Sequence, residues 1–200
     1  MAHVNAESAA RQPVVLETER LVLRHLCMAD LDALAALYAD PEVRRWFPDG
    51  VRTYQQTCDE LAWIIDVYYA RYGYGLWATI LEETGAFIGR CGLLPWDIEG
   101  RTEVEVAYLL GRDYWGRGLA TEAARAIVDH SFATLPVERL ICMTDPGNAA
   151  SRSVAVKVGM RSLWENYVDE HGPAHVYAIR RPPGAGTETQ GSRFEPRCED

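Results

Sequence analysis

The chain has 200 residues, 48% of them apolar and 24% charged, and a formal net charge of −9. That size and apolar content suit one globular domain with its own core, which needs no metal or disulfide staple. The acidic balance disfavours binding to nucleic-acid phosphates and mildly favours cationic partners such as amines. The five cysteines are scattered, with no CxxC pair, and the five histidines show no HExxH spacing. This pattern reads as reduced thiols without a zinc site. With no apolar run of about 18 residues and no apolar signal core in Met1–Arg11, the expectation is a cytoplasmic protein with no membrane span and no metal.

Residues 1–13 are small and polar and are expected to be flexible. Residues 14–180 carry the apolar periodicity of a domain. Residues 181–200, rich in Pro, Gly and polar side chains, are expected to be disordered. Within the domain, Leu16–Leu26 reads as a strand. Ala29–Ala39 reads as a helix, with Leu31, Leu34, Ala35 and Tyr38 at helical spacing and Asp30 available as N-cap. Asp40-Pro41 ends it. Thr53–Tyr72 is a second helical stretch, broken by Gly73 and Gly75. Leu76–Glu82 and Phe87–Leu94 form a hairpin about Thr84-Gly85.

Thr102–Leu110 is a third strand that alternates, with Val104, Val106, Tyr108 and Leu110 on one face and Glu103, Glu105, Ala107 and Leu109 on the other. A glycine-rich turn follows, then a helix over about Leu119–Ala133, a short buried strand at Arg139–Met143, and a helix over Ala149–Val158 with Gly159 as its C-cap. Two last strands, near Arg161–Val168 and Ala174–Arg180, flank a turn at His171-Gly172-Pro173. This order predicts a mixed α/β sheet with helices on both faces.

The sharpest feature is Tyr114-Trp115-Gly116-Arg117-Gly118-Leu119-Ala120-Thr121-Glu122-Ala123, between a strand and a helix. Gly116 and Gly118 let the backbone turn tightly and approach a ligand. The free amides and the dipole of the helix start then suit a pyrophosphate. The run matches neither Gly-x4-Gly-Lys-Ser/Thr nor the three-glycine dinucleotide fingerprint. By itself it reads either as an anion cradle or as an ordinary strand-to-helix turn.

This run resembles the acyl-CoA motif of the GCN5-related N-acetyltransferases, Gln/Arg-x-x-Gly-x-Gly/Ala, with Trp115, Gly118 and Ala120 at its first, fourth and sixth positions. Trp115 departs from Gln/Arg, but the form is similar to that of the branch that acetylates ribosomal-protein N-termini. LETERLVLR (Leu16–Arg24), DPEV (Asp40–Val43), EVAYLL (Glu105–Leu110) and NAASRSVAVKVGM (Asn148–Met160) match in order and extend the resemblance over nearly all of residues 16–160. The resemblance implies a single-domain α/β (α+β) fold with a largely antiparallel twisted sheet of six to seven strands. It implies acetyl-CoA as acetyl donor, bound by the backbone of Tyr108, Leu109 and Leu110 and by Gly116, Arg117, Gly118, Leu119, Ala120 and Thr121. Asn148 matches an asparagine that contacts the cofactor, and it is also a natural N-cap. Arg117, Arg152 and Lys157 read either as phosphate contacts or as solvated charge.

Acetyl transfer to an amine needs a group that takes the amine proton and one that assists the departing thiolate. Glu105 matches a glutamate of this branch and is a candidate base, with Glu103 beside it; two exposed strand glutamates are the alternative. Many relatives carry a tyrosine seven residues after the asparagine, where this chain has Ala155. Ser151 matches a serine of the ribosomal-protein branch and is the candidate acid, or else a serine bonded to helix backbone. Asp169, Glu170 and His171 read as a solvated turn. Trp46, Phe47 and Pro48, with Trp96 and Asp97, are candidates for the acceptor side. Three functional readings stay open: an N-acetyltransferase acting on a protein N-terminus or a small-molecule amine, as monomer or homodimer, a non-catalytic acyl-CoA-binding or sensing module, and a purely structural α/β domain.

Overall fold

The computed structural model describes residues 12–98, 100–169 and 172–183. One sheet runs through it in the order β1-β2-β3-β4-β5-β6-β8-β7. Its strands are β1 (Val14–Glu17), β2 (Leu21–His25), β3 (Leu76–Leu81), β4 (Ala86–Ile98), β5 (Arg101–Leu110), β6 (Arg139–Thr144), β7 (Arg161–Asp169) and β8 (Gly172–Arg180). Every neighbouring pair is antiparallel except β5 and β6, which are parallel and joined by a crossover helix. The mixed, largely antiparallel architecture is the one expected, with eight strands in place of six to seven. The stretch Leu16–Leu26 divides in two because Thr18 turns the chain: its N–H donates to the Leu21 carbonyl at 2.8 Å and its hydroxyl accepts the Leu21 N–H at 3.0 Å.

Four helices cover the sheet: α1 (Leu31–Ala39), α2 (Tyr54–Trp63, continued by a π-turn at Ile64–Tyr68 and a last turn at Tyr69–Tyr72), α3 (Leu119–Thr134) and α4 (Ala149–Lys157). Leu119, Ala123, Ile127 and Phe132 of α3 bury against Leu21, Trp77, Leu93, Val104 and Val106 on one face. Leu31, Leu34 and Tyr38 of α1 and Leu61 and Ile64 of α2 bury against Ala78, Ala107 and Leu109 on the other. The alternation read along β5 is thus a division between two cores. A third small cluster, Ile98, Ile141 and Val176, sits under β7.

Local chemistry explains the boundaries. Thr53 caps α2 in a capping box with Gln56, and Gly73 closes it at φ +71°. Asp40 and Pro41 start a further helical turn, Pro41–Arg44, where Asp40 accepts the Glu42 N–H at 2.8 Å. Asp30 stands before α1 but makes no side-chain cap; its carboxylate is held by Arg24 at 2.7 and 2.8 Å and by the Cys27 N–H. β4 runs on through Pro95 to Ile98, so Trp96 and Asp97 are strand residues paired with Glu103 and Thr102 and not part of a following loop. Proline is tolerated there because β3 has ended: Leu93 N–H takes the last acceptor, Gly75 C=O, and the same side of Pro95 faces no strand. In the same strand a Cβ at Gly89 would run into the Leu109 carbonyl oxygen, and one at Gly92 into that of Gly75.

Arg181, grouped by composition with the polar tail, is bound into the domain. It gives hydrogen bonds to the carbonyls of Val137, Phe132 and Leu135 at the end of α3, where a cation also meets the negative end of the helix dipole. The expectations for residues 1–11 and 184–200, and for Glu170 and His171, lie outside the described residues.

Candidate active site

β5 ends at Leu110, and a short 3-10 turn at Arg112–Tyr114 leads to the glycine turn. Gly116 and Gly118 take left-handed angles, φ +72° and +80°. A Cβ at Gly116 would meet nothing within 4 Å, so the backbone angle and not crowding calls for glycine there. The first bond inside α3 runs from Glu122 N–H to Gly118 C=O at 3.0 Å, and Gly118 has no side chain to cap with. The N–H groups of Leu119, Ala120 and Thr121 therefore have no intrahelical acceptor, and the dipole of a 16-residue helix stands behind them. With residues 115–118 exposed around this cradle, a pyrophosphate fits it.

The cradle is strapped to the turn between β1 and β2, at one edge of the sheet. Arg20 donates Nη1 to the Arg117 carbonyl at 3.0 Å and Nε to Glu122 Oε2 at 2.7 Å, while the Thr18 hydroxyl donates to Glu122 Oε1 at 2.6 Å. The one acidic side chain in the first turn of α3 is thereby turned away from the free amides. On the other flank Trp115 Nε1 donates to the Leu110 carbonyl at 2.7 Å, which gives a role to the residue that departs from the Gln/Arg pattern. Arg117 packs over Tyr114, and Arg152 and Lys157 are exposed.

A slot opens where β5 leaves β6. The parallel ladder is registered at Glu105↔Ile141, and β5 continues unpaired on that side to Leu110. Gly111 N–H bonds back to Ile88 C=O on β4. By strand alternation the backbone of Leu109 faces β4, while that of Tyr108 and Leu110 faces the slot. A cavity of about 390 Å³ adjoins the mouth, lined from α1 by Ala36, Leu37 and Asp40 and from the turn by Gly111, Arg112 and Asp113.

The proposed chemical groups stand on opposite faces of this slot. On the α1–α2 face Glu105 is buried, accepting from Trp96 Nε1 at 2.7 Å and from the Met143 N–H at 3.1 Å. Met143 lies two residues beyond Ile141, so the carboxylate takes an amide of β6 at the point where the strands part. Burial pushes the Glu105 carboxyl above the usual carboxylate range, against the opposing pull of those two donors. Glu103 is also buried, in an ion pair with Arg139, whose guanidinium lies over Trp164. Neither glutamate is therefore on an exposed strand face.

On the α3–α4 face Asn148 caps α4, accepting the Ser151 N–H at 3.0 Å. The Tyr108 hydroxyl lies 2.9 Å from the Ser151 carbonyl, 3.1 Å from Ser151 Oγ and 3.4 Å from Cys142 Sγ. Burial raises the Tyr108 phenol and pushes the Cys142 thiol up to about 12. Ala155 is fully buried in the core. Trp46, from the loop after Pro41–Arg44, reaches this end: a Cβ at Gly147 would stand 2.6 Å from its Cζ3. Phe47 stacks under the Arg44 guanidinium, 4.2 Å from ring centre to Cζ.

Sequence reasoning missed the side chain of Tyr108, the Trp115 bond and the Arg20–Glu122 strap. Arg20 and Glu122 both lie in quoted motifs, but their pairing spans 102 residues and leaves no local periodicity. Among the described residues no group of three or more His, Cys, Asp or Glu gathers to hold a metal ion, and no helix is long and apolar enough to cross a membrane.

Comparison with known proteins gives the same picture. Residues 20–161 match the family model described as an acetyltransferase (GNAT) domain. An uncharacterized protein of Bacillus subtilis, YkkB, is 38% identical over 148 residues, which cover 72% of this chain and 84% of that one. Among solved structures, an acetyltransferase from Agrobacterium tumefaciens superposes with a TM-score of 0.71 at 30% identity, covering 84% of this chain and 94% of that one. The fold is also that of RimL, a ribosomal L7/L12 alpha-N-protein acetyltransferase solved with coenzyme A, at a TM-score of 0.70 and 16% identity over 84% of this chain and 98% of RimL. With its glycine turn, splayed strand and family match over residues 20–161, the chain belongs to the GNAT acetyltransferases and is an acetyl-CoA-dependent N-acetyltransferase.

Proposed function

We propose that the protein acetylates a primary amine, a protein N-terminal α-amine or a small-molecule amine, by direct attack on acetyl-CoA held with it in a ternary complex. The observation that carries this reading is the slot with Glu105 on one face and the Ser151–Tyr108 hydroxyl pair on the other. Acetyl-CoA supplies the activated acetyl group. Its pyrophosphate rests on the amides of residues 116–121 and its pantetheine arm pairs with the slot-facing backbone of Tyr108 and Leu110.

The chain's own residues do the rest. Glu105 takes a proton from the amine as it attacks, directly or through water, and the proton affinity that burial raises favours that transfer. Ser151 Oγ, held against the Tyr108 hydroxyl, lies on the side where the thiolate leaves and assists its departure by hydrogen bonding. Asn148 fixes the first turn of α4 and so the position of Ser151. Trp46 and Phe47 wall the acceptor side. Alignment of amine and thioester in this slot supplies much of the rate without further machinery.

The test is thiol release from acetyl-CoA over a panel of small amines and N-terminal peptides. Amine-dependent release is expected. Acetyl-CoA affinity without release on any member would replace the transferase reading with that of a binding or sensing module.

A further inference from the structure

Arg90 is a charged side chain of the acceptor face with too few partners for its position. It projects from β4 onto the α1–α2 face, opposite Leu109, and is 5% exposed. A guanidinium carries five N–H donors. Of these, Nε–H donates to the Tyr38 hydroxyl at 3.0 Å, and among the described residues none accepts from Nη1 or Nη2. Neither terminal nitrogen is sealed off: the enclosed side-chain atoms without a hydrogen-bond partner belong to other residues. The Arg90 guanidinium is buried up to its tip, where the terminal nitrogens keep the little exposure the side chain has.

Cations outnumber carboxylates in this neighbourhood, and Glu60 reaches Arg90 through the Tyr38 hydroxyl. Arg44, 2% exposed, lies over the rings of Tyr38 and Phe47 at 5.0 and 4.2 Å, and Arg90 faces the same two rings at 5.8 and 5.9 Å. The carboxylates here are committed elsewhere. Asp49 pairs with Arg44 and Arg52, and Glu60 pairs with Arg52 and accepts the Tyr38 hydroxyl. Three guanidiniums thus share two carboxylates, and Arg90 is the one without an ion pair among the described residues. Further along the same face stands Glu105, whose oxygens are taken by Trp96 and Met143. Between Arg90 and Glu105 on this face the strands present the small residues Gly92 and Ala107.

A buried guanidinium of this kind is stable when an oxyanion completes it. The protein as a whole is acidic, so an anionic ligand would come here for a local reason. We infer that Arg90, supported by Arg44, receives a carboxylate of the acceptor, so that the substrate is a carboxylate-bearing primary amine whose amine end lies toward Glu105. This rests on the transferase reading proposed above and narrows it.

The experiment compares matched acceptors: ω-amino acids of increasing chain length against their carboxamides, and N-terminal peptides with Glu or Gln at the second or third position. Each is run with wild type, Arg90→Met and Arg90→Lys, beside acetyl-CoA titration and thermal melting of each variant. For the wild type, kcat/KM is expected to favour the carboxylate member of a productive pair by about 10- to 100-fold, the range of a charge-assisted hydrogen bond, through KM more than kcat. Arg90→Met should bring that ratio near one, and Arg90→Lys should restore part of it. Phosphonate analogues separate carboxylate from general oxyanion recognition: equal use of both would overturn the carboxylate assignment. Amine-dependent release with no carboxylate preference in the wild type overturns the inference and leaves the transferase reading intact, a result that needs no variant to fold. Unchanged preference in a folded Arg90→Met also overturns it. Release with no amine of either series would sink both.

Discussion

The Tyr108 hydroxyl lies 3.1 Å from Ser151 Oγ and 2.9 Å from the Ser151 carbonyl, tying the open end of β5 to the first turn of α4. A tyrosine from the strand thus stands beside the serine of the helix in a chain whose helix carries Ala155 where many relatives have tyrosine. The two hydroxyls form one unit. Tyr108→Phe and Ser151→Ala are therefore each expected to slow thiol release by roughly 10²-fold or more with little change in acetyl-CoA affinity. The double variant should be hardly worse than either single one, because residues in one hydrogen-bond network do not add. Steady-state kinetics of the three variants checks this, and fully multiplicative losses would separate the two roles.

Gly118 tests the cradle. It is held at φ +80° just before the free amides of α3, with open space on its far side up to Arg20 Nη2 at 3.6 Å. Gly118→Ala brings only the cost of a left-handed non-glycine residue, about 1–2 kcal/mol. Gly118→Asp adds a carboxylate where the pyrophosphate should sit. Calorimetry should find a modest loss of acetyl-CoA affinity for alanine and a loss beyond 100-fold for aspartate. Equal losses would mean that backbone strain alone is being read.

The Arg20–Glu122–Thr18 strap should matter for both binding and acid stability. Burial alone would raise the Glu122 carboxyl, but the Thr18 hydroxyl and the Arg20 side chain and amide outweigh it and hold it below the usual range. A depressed folded-state value means that this contribution is present above the unfolded carboxylate value of about 4.3 and is lost as pH falls through the folded one. Glu122→Gln is thus expected to melt below wild type at pH 7 and to converge with it as pH falls below the carboxylate range. At neutral pH it should also weaken acetyl-CoA binding several-fold, because the Arg117 segment of the cradle loses its anchor. Arg20→Ala should give the same weakening with little further effect on top of Glu122→Gln.

The architecture was legible where periodicity is local. Alternation along Thr102–Leu110 predicted the two faces of β5, and the glycine run before Leu119 predicted the tight turn into α3, because both signals lie within a dozen residues. The misreadings came from competition at a distance. Asp30 has the chemistry of a cap, but Arg24 on a neighbouring strand holds its carboxylate. Pro95 looked like the end of β4, because the sequence does not tell that β3 has already stopped beside it. For Glu103 and Glu105 the alternative of an exposed strand face could not be dismissed from the sequence, because the groups that cover them, Arg139, Trp96 and Met143, come from β6 and from the far end of β4.

Glu105 carries the sharpest prediction, because two physical roles compete for it. As a base it must be ionised, so the rate should fall as pH drops through its folded-state value, which burial has raised; the acidic limb of the profile should lie above the ordinary carboxylate range. Glu105→Gln should lose that limb and roughly 10²–10⁴-fold in turnover. As a wedge, Glu105 merely holds β6 off β5 by accepting the Met143 amide. Glutamine would disturb that role too, because both neighbours, Trp96 Nε1–H and Met143 N–H, are donors. A carboxylate accepts from both. An amide can accept from one and leaves the other facing its NH2, a cost of about 1–3 kcal/mol. The pair Glu105→Gln and Trp96→Phe separates the roles: the second change removes the indole donor and relieves the mismatch without returning a carboxylate. If Glu105 is the base, the double variant should regain melting temperature and bind acetyl-CoA as wild type does, while its turnover stays low and flat across the acidic range. If Glu105 is only the wedge, turnover should recover along with stability, and the acidic limb should persist in every variant.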